Sequence, residues 1–204
     1  MPEPGLRERK KRRTRELIAA TAAALFAERG YEQVTVRDVA EAAEVSEQTV
    51  FNHFPTKQAL VLDRDEELRD RILALIRERA AGRSPAAAIR PAALAWVAAI
   101  ATAEPAELRG GLGYLSHRSP AVRRFALEMV DRHADAIAAV LAAEPGGPSP
   151  AVAKVHATAL AWVFQTITDE SGRLFAEERS PASIARALTP VVESILDDLE
   201  SWPA

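Results

Sequence analysis

Three features of this 204-residue sequence predict an all-α fold. No stretch alternates apolar and polar residues with the period of two that marks a half-buried strand. Apolar residues recur instead at intervals of three and four along most of the chain. Four Ser-Pro pairs, Ser84-Pro85, Ser119-Pro120, Ser149-Pro150 and Ser180-Pro181, each set a capping hydroxyl before a proline at a first helical position, where the missing N–H would have had no helical partner.

Taken in order, a strongly basic first helix begins near Arg9 and carries Ile18, Ala22, Leu25 and Phe26 at helical spacing as far as Gly30. Thr35 caps the second helix, and Asp38 three residues on completes a capping-box spacing. Val36, Val39, Ala40 and Ala43 then form one buried face, so this helix spans about 36 to 43. Ser46 caps a third helix with Val50 and Phe54 inward. A fourth starts after Thr56 and runs through Leu60, Leu68, Ile72, Leu75 and Ile76, a lever between the N-terminal unit and the rest. Further helices are predicted over 85–103, kinked or restarted at Pro91, and over 106–117, 120–143, 150–175 and 181–200, with Pro190 kinking the last. Gly110, Gly111 and Gly113 lower the stability of the 106–117 helix by up to about 1 kcal/mol each, so this segment reads either as one that yields or as a loop.

The composition, 48% hydrophobic and 27% charged, is that of a globular protein. Net charge is −3, yet residues 1–15 hold seven Lys or Arg against Glu3 and Glu8, a basic arm on an acidic body. Such an arm can follow a phosphate backbone or enter a minor groove. RKKRRTR followed by the mostly apolar 17–27 stretch has the outline of a signal peptide, but its helical spacing leads without a break into the capped helix, which favours a first helix of the N-terminal unit. No span reaches the roughly 18 to 20 apolar residues of a membrane crossing, so no membrane partner is expected. The absence of cysteine excludes disulfides and thiolate chemistry and fits a cytoplasmic location.

Two short helices joined by a turn behind a basic helix form a helix-turn-helix, and its outward residues suit a DNA duplex. Gln48 and Asn52 amides donate and accept at once, matching adenine N6 and N7, while Glu47 can accept from cytosine N4 and Phe51 offers apolar contact. Thr49, His53 and Lys57 fall where they can hold phosphates, and the N–H groups of a helix opening at Thr56 would add an anion site.

The run GYEQVTVRDVAEAAEVSEQTVFNHFPTKQALV, 30–61, resembles the DNA-binding segment of TetR-family (TetR/AcrR-type) bacterial transcriptional regulators, over less than a quarter of the chain. The resemblance implies an N-terminal three-helix helix-turn-helix DNA-binding domain with a basic arm (residues 1–57) and a larger C-terminal helical ligand-binding and dimerisation domain (58–204), with helix four bridging them. It further implies a ligand-responsive dimeric repressor on a double-stranded DNA operator, released by a small-molecule effector. Carried onto this sequence, Arg37, Glu47, Gln48, Phe51 and Asn52 become the base-facing set, and Thr35, Ser46, Thr49, His53 and Lys57 the backbone-facing set. Two residues depart from the pattern. Glu44 stands where glycine is usual, at a cost of roughly 1 to 2 kcal/mol if fully left-handed. Phe51 replaces a tyrosine and its hydroxyl.

One helix-turn-helix covers a single half-site, so a homodimer on a roughly palindromic operator is expected, joined through the last two helices, of which the 150–175 helix spreads its apolar residues over a wide arc and the final one carries a continuous stripe. Trp96, Ile100, Tyr114, Phe125, Met129, His133, Trp162 and Gln165 form a candidate ligand pocket that rests on the resemblance, since for each residue ordinary core packing gives the same composition. Enzyme readings fare poorly. None of the four histidines follows an Asp or Glu by three or four residues, there is no phosphate-binding glycine loop and no GxSxG elbow, and no metal or cofactor is expected. The runner-up is a ligand-independent architectural or co-regulatory DNA-binding protein, with an all-helical enzyme of unrecognised site a remote third.

Overall fold

The computed structural model describes residues 5–63 and 65–202. Among the described residues there are ten α-helices and no strand: α1 (Leu6–Arg29), α2 (Val36–Ala42), α3 (Glu47–His53), α4 (Asp65–Arg77), α5 (Pro85–Ile100), α6 (Pro105–Gly110), α7 (Leu112–Arg118), α8 (Pro120–Ala142), α9 (Pro150–Ala176) and α10 (Pro181–Glu200). The all-α expectation holds. All four Ser-Pro pairs open helices, and Ser84, Ser119 and Ser180 accept hydrogen bonds from the backbone N–H of Ala87, Val122 and Ser183. Pro91 and Pro190 lie inside α5 and α10, and neither starts a new helix.

Three segments differ from expectation. The first helix begins at Leu6 rather than near Arg9, so the basic stretch from Arg7 to Arg15 is helical. The fourth helix does not begin after Thr56. A single 3₁₀ turn (Gln58–Leu60) is followed by a non-helical joint over residues 61–63. Leu60 and Leu68 share helical spacing yet pack into different cores, and that explains the misreading. The predicted 106–117 helix is two helices, broken at Gly111, whose ψ of 158° is extended.

The glycines around that break have a packing role. A Cβ on Gly110 would lie 2.4 Å from the Ala23 carbonyl oxygen of α1, and one on Gly113 would lie 2.2 Å from the Thr168 carbonyl oxygen of α9. On the opposite side of the second contact, a Cβ on Gly172 would lie 2.1 Å from the Gly113 carbonyl carbon. So α6 rests directly on α1, and α7 crosses α9 backbone to backbone.

Two apolar cores result. The larger gathers Ile72, Ile76, Ile89, Val97, Ile137, Leu160, Ile167, Ile184, Leu188 and Leu196 from α4, α5, α8, α9 and α10. The smaller gathers Ile18, Phe26, Val34, Val39, Val50, Phe54 and Leu60, and is closed by Leu115 of α7 and Val122 of α8. The Ser119 hydroxyl, which caps α8, also donates to the Glu32 carboxylate across this junction. Arg90 of α5 binds Asp197 and Glu200 of α10 at 2.6 and 2.7 Å, and Arg79 makes a two-pronged bond to Glu144, so the larger bundle is also tied at its polar edges.

Candidate nucleic-acid interface

The interface is built from two caps and one turn. Asp38 N–H donates to Thr35 Oγ1 at 3.1 Å, and Thr35 N–H donates to Asp38 Oδ2 at 2.7 Å, a complete capping box that starts α2. These bonds from Thr35 hold the Asp38 carboxyl below its ordinary pKa. α2 ends where Glu44 takes φ 54°, with Val45 N–H bonded to Ala40 O at 3.0 Å and Glu44 N–H to Glu41 O at 3.2 Å. That pair of bonds is a Schellman closure whose left-handed residue is normally glycine, so the strain expected at Glu44 is present. Ser46 Oγ then accepts from Thr49 N–H at 3.1 Å and starts α3.

Within α3, Val50 and Phe54 are 0% and 1% exposed, whereas Phe51 on the opposite face is 42% exposed beside exposed Glu47, Gln48 and Asn52. Gln48 Nε2 donates to Asn52 Oδ1 at 3.0 Å, which orients both amides and leaves Gln48 Oε1 and Asn52 Nδ2 without a protein partner among the described residues. An acceptor and a donor side by side on one helix edge suit an adenine edge. Arg37 is exposed and bonded to Glu41 at 2.8 Å, so a base contact from it would require that pair to open.

Of the expected backbone-facing residues, Thr35 and Ser46 are exposed at helix starts and Thr49 is half-buried. Burial, then the charges of Arg15 and Lys11, pushes the half-buried His53 imidazole below its ordinary pKa, so at neutral pH it offers a hydrogen bond and no charge. The Lys57 ammonium stands 4.0 Å from the centroid of the Tyr31 ring. Burial there lowers its pKa, against the opposing pull of Glu32 and Asp38, and the same burial, with Glu32, raises that of Tyr31. The anion site expected at Thr56 changes character, because a three-residue 3₁₀ turn capped by Thr56 Oγ1 lacks the aligned N–H groups of an α-helix.

A groove of about 350 Å³ runs between the basic face of α1 (Arg9, Lys11, Arg12, Arg15) and the end of α3 (Asn52, His53). Its width follows from the helical arm. An α-helix with side chains is about 10 to 12 Å across, too wide for a minor groove of about 6 Å, so in this form the described part of the arm can follow phosphates but cannot enter that groove.

The sequence reading missed a cluster at the joint before α4. Arg15 donates from Nη1 to His53 O at 2.8 Å and from Nη2 to Asp63 O at 3.3 Å, and its Nε lies 2.8 Å from Asp63 Oδ1. Its guanidinium also covers the Phe54 ring at 4.4 Å. Asp65 binds His133 Nε2 at 2.5 Å and Arg132 at 3.2 Å. Burial alone would raise the Asp65 carboxyl, but the bond to His133, its charge and the Arg132 guanidinium outweigh it and hold the pKa below the ordinary value. Asp131 and Asp135, the sequence neighbours of His133, bind Lys154 instead. Register could have revealed Arg15, which precedes Ile18, Ala22 and Leu25 on the buried face of α1.

The candidate ligand residues do not converge on one cavity in the same way. Ile100 and Met129 are core residues, His133 is engaged by Asp65, and Trp96 and Trp162 are each 38% exposed, the former tilted against Phe164 with ring centroids 5.9 Å apart. Phe125 is half-buried on α8. Gln165 is buried, donates to Asp169 at 2.8 Å and keeps its Oε1 unpaired. Tyr114 lines a second groove, of about 360 Å³, beside the smaller core, with Tyr31, Glu32 and Arg118. Pockets and cores draw on the same residue types, so composition could not separate these positions. Among the described residues no cluster of three metal-ligating side chains occurs, and no helix is long and apolar enough to cross a membrane.

Comparison with known proteins places this geometry in a family. The family model for bacterial regulatory proteins of the tetR family matches residues 18–63. The HTH-type transcriptional regulator TcmR of Streptomyces glaucescens is 33% identical over 147 residues, a match that takes in 70% of this chain and 65% of that relative. Crystalline NalD of Pseudomonas aeruginosa, described as the secondary repressor of the MexAB-OprM multidrug efflux pump, shares the fold with a TM-score of 0.57 and 18% identity, over 91% of this chain and 96% of its own. Salmonella enterica GusR does so with a TM-score of 0.50 and 20% identity, over 90% and 95%. The arrangement of α1 to α3, the match across 18–63 and the identity to TcmR agree: the chain belongs to the TetR family of bacterial regulatory proteins.

Proposed function

We propose that this protein is a ligand-responsive transcriptional repressor, located in the cytoplasm, that binds a roughly palindromic DNA operator as a homodimer and is released by a small molecule. The observation that carries the reading is α3, anchored by Val50 and Phe54 while Gln48, Phe51 and Asn52 are exposed. In this reading Arg37, Glu47, Gln48, Phe51 and Asn52 meet bases, and Thr35, Ser46, Thr49, His53 and Lys57 meet the backbone. Residues 1–57 form the reader, and residues 58–204 the regulatory and dimerisation unit.

Exposed apolar residues on the last two helices support the dimer. Val152, Val155 and Trp162 follow one edge of α9, and Val191 on α10 and Trp202 just beyond it add to the apolar surface of this pair. The Trp202 and His156 rings meet at a tilt of 54° with centroids 5.1 Å apart, so the end of α10 lies against the start of α9. Two copies joined here would present two copies of α3, and a two-fold operator requires them to reach major grooves about 34 to 36 Å apart. Release requires the effector to favour a conformation in which that spacing is lost, because a ligand with equal affinity for both states shifts nothing.

The test is a footprint of the purified protein on DNA flanking its own gene, repeated with candidate compounds. A symmetric, sequence-selective footprint relieved by a compound is the expected result. Weak sequence preference with no relief would instead support an architectural binder.

A further inference from the structure

We propose that Arg15 is a positioning residue for the recognition helix, and that Arg15–Asp63 and Asp65–His133 together form a polar relay through which α8 sets the placement of α3. The inference rests on the DNA-binding reading of α3.

The geometry gives the Arg15 guanidinium partners on two edges and one flat face. His53 O is one of the terminal carbonyls of α3 that no helical N–H can reach, and Arg15 Nη1 satisfies it at 2.8 Å. The remaining edge holds the backbone oxygen and carboxylate of Asp63, and the flat face lies on Phe54, the inward anchor of α3. A planar fork of five donors can serve these acceptors together, whereas an ammonium cannot. With two hydrogen bonds, an ion pair and one face engaged by the protein, Arg15 differs from the other basic residues of the arm. It fixes the end of α3 against the joint and leaves phosphate contact to its neighbours.

The same short joint is gripped from the opposite side. Two residues beyond Asp63, Asp65 is held by His133 and Arg132 of α8, the former 4% exposed and the latter on the surface. Asp63 is therefore held by α1 and Asp65 by α8. A shift of α8 that moves Asp65 reaches Asp63, two positions earlier in the chain, and through one guanidinium the C-terminus of α3. The pairs of Lys154 with Asp131 and Asp135, by contrast, link elements of the larger bundle alone.

The experiment uses the full chain and two probes, a duplex enriched from a random pool by the wild-type protein and a scrambled duplex of the same composition. Affinity is measured over a series of salt concentrations, with thermal unfolding alongside. Arg15→Lys is expected to weaken the enriched duplex about tenfold, leave the scrambled duplex unchanged and leave the salt slope unchanged, because no phosphate contact is lost. His133→Leu is expected to weaken the enriched duplex about threefold in the wild-type background and to have no further effect in Asp63→Asn, since coupled sites do not add. Equal weakening of both duplexes by Arg15→Lys with a slope reduced by about one would make Arg15 a phosphate ligand and overturn the proposal. Independent multiplication of the His133→Leu and Asp63→Asn factors would overturn the relay, and that pair carries the test if Arg15→Lys unfolds. Failure of the wild-type chain to enrich any duplex would overturn the DNA-binding reading itself, a separate outcome.

Discussion

Adding one methyl group at Gly113 forces the α7–α9 crossing apart. The new Cβ would sit 2.2 Å from Thr168 O, 3.2 Å from Thr168 C and 3.3 Å from Gly172 N, whereas real Cβ atoms stay beyond 3.0 Å. All three neighbours are backbone atoms of one helix, so no side chain can rotate away. The helices must separate by about 1 Å, and a gap of that size forfeits roughly a quarter to a half of the dispersion well for each atom pair across it. Leu115 of α7 lies in the smaller core and Leu112 packs against both, so the separation loosens both. Overpacking of this kind costs about 1 to 3 kcal/mol, and for a chain of this size the melting midpoint falls by roughly 2 to 4 °C per kcal/mol. Thermal unfolding followed by circular dichroism measures the effect. Gly5→Ala is the control, because its Cβ meets nothing within 4 Å. A Gly113→Ala protein that melts with the Gly5→Ala control would refute the reasoning.

Glu44→Gly removes the left-handed penalty at φ 54° but gives the unfolded chain more freedom, and the balance predicts stabilisation of about 0.5 to 1 kcal/mol by denaturant unfolding; a destabilised variant would show that the turn carries no strain. Gln48→Ala should cost about 1 to 3 kcal/mol of operator binding and relax preference at one base position, whereas Lys57→Ala should weaken all sequences alike. Uniform losses for Gln48→Ala in a binding-site selection would remove it from the base-facing set. The Asp65 carboxyl is held below its ordinary pKa, so its stabilising contribution is present above the unfolded value of roughly 3.9 and is lost as pH falls through the lower folded value. The gap in melting midpoint between wild type and Asp65→Asn should therefore close on acidification, and a pH-independent gap would contradict the assignment.

Helix starts were legible in the sequence because their determinants are local. A serine, a proline and the next turn of backbone suffice at residues 84, 119, 149 and 180, and Thr35 with Asp38 suffices for α2. The two faces of α3 were legible for the same reason. The joint before α4 was not, because Leu60 and Leu68 keep a helical interval while answering to different cores. The glycines of α6 and α7 weaken a helix when considered alone, and their close approach to Ala23 and Thr168 depends on residues far away in the chain. Arg15 looked like one cation among seven, since its acceptors lie 38 and 48 residues away.

Leu115 and Val122 come from α7 and α8 yet complete the apolar interior beneath the helix-turn-helix, at 1% and 2% exposure. Modularity is therefore lopsided in this protein. A fragment ending at residue 63 would uncover the floor on which α1 and the Tyr31 turn rest. A chimera that grafts this N-terminal unit onto another regulator would inherit foreign side chains in place of those two. Exchange of DNA specificity between relatives is better achieved by replacing the outward residues of α3 than by transplanting the unit whole.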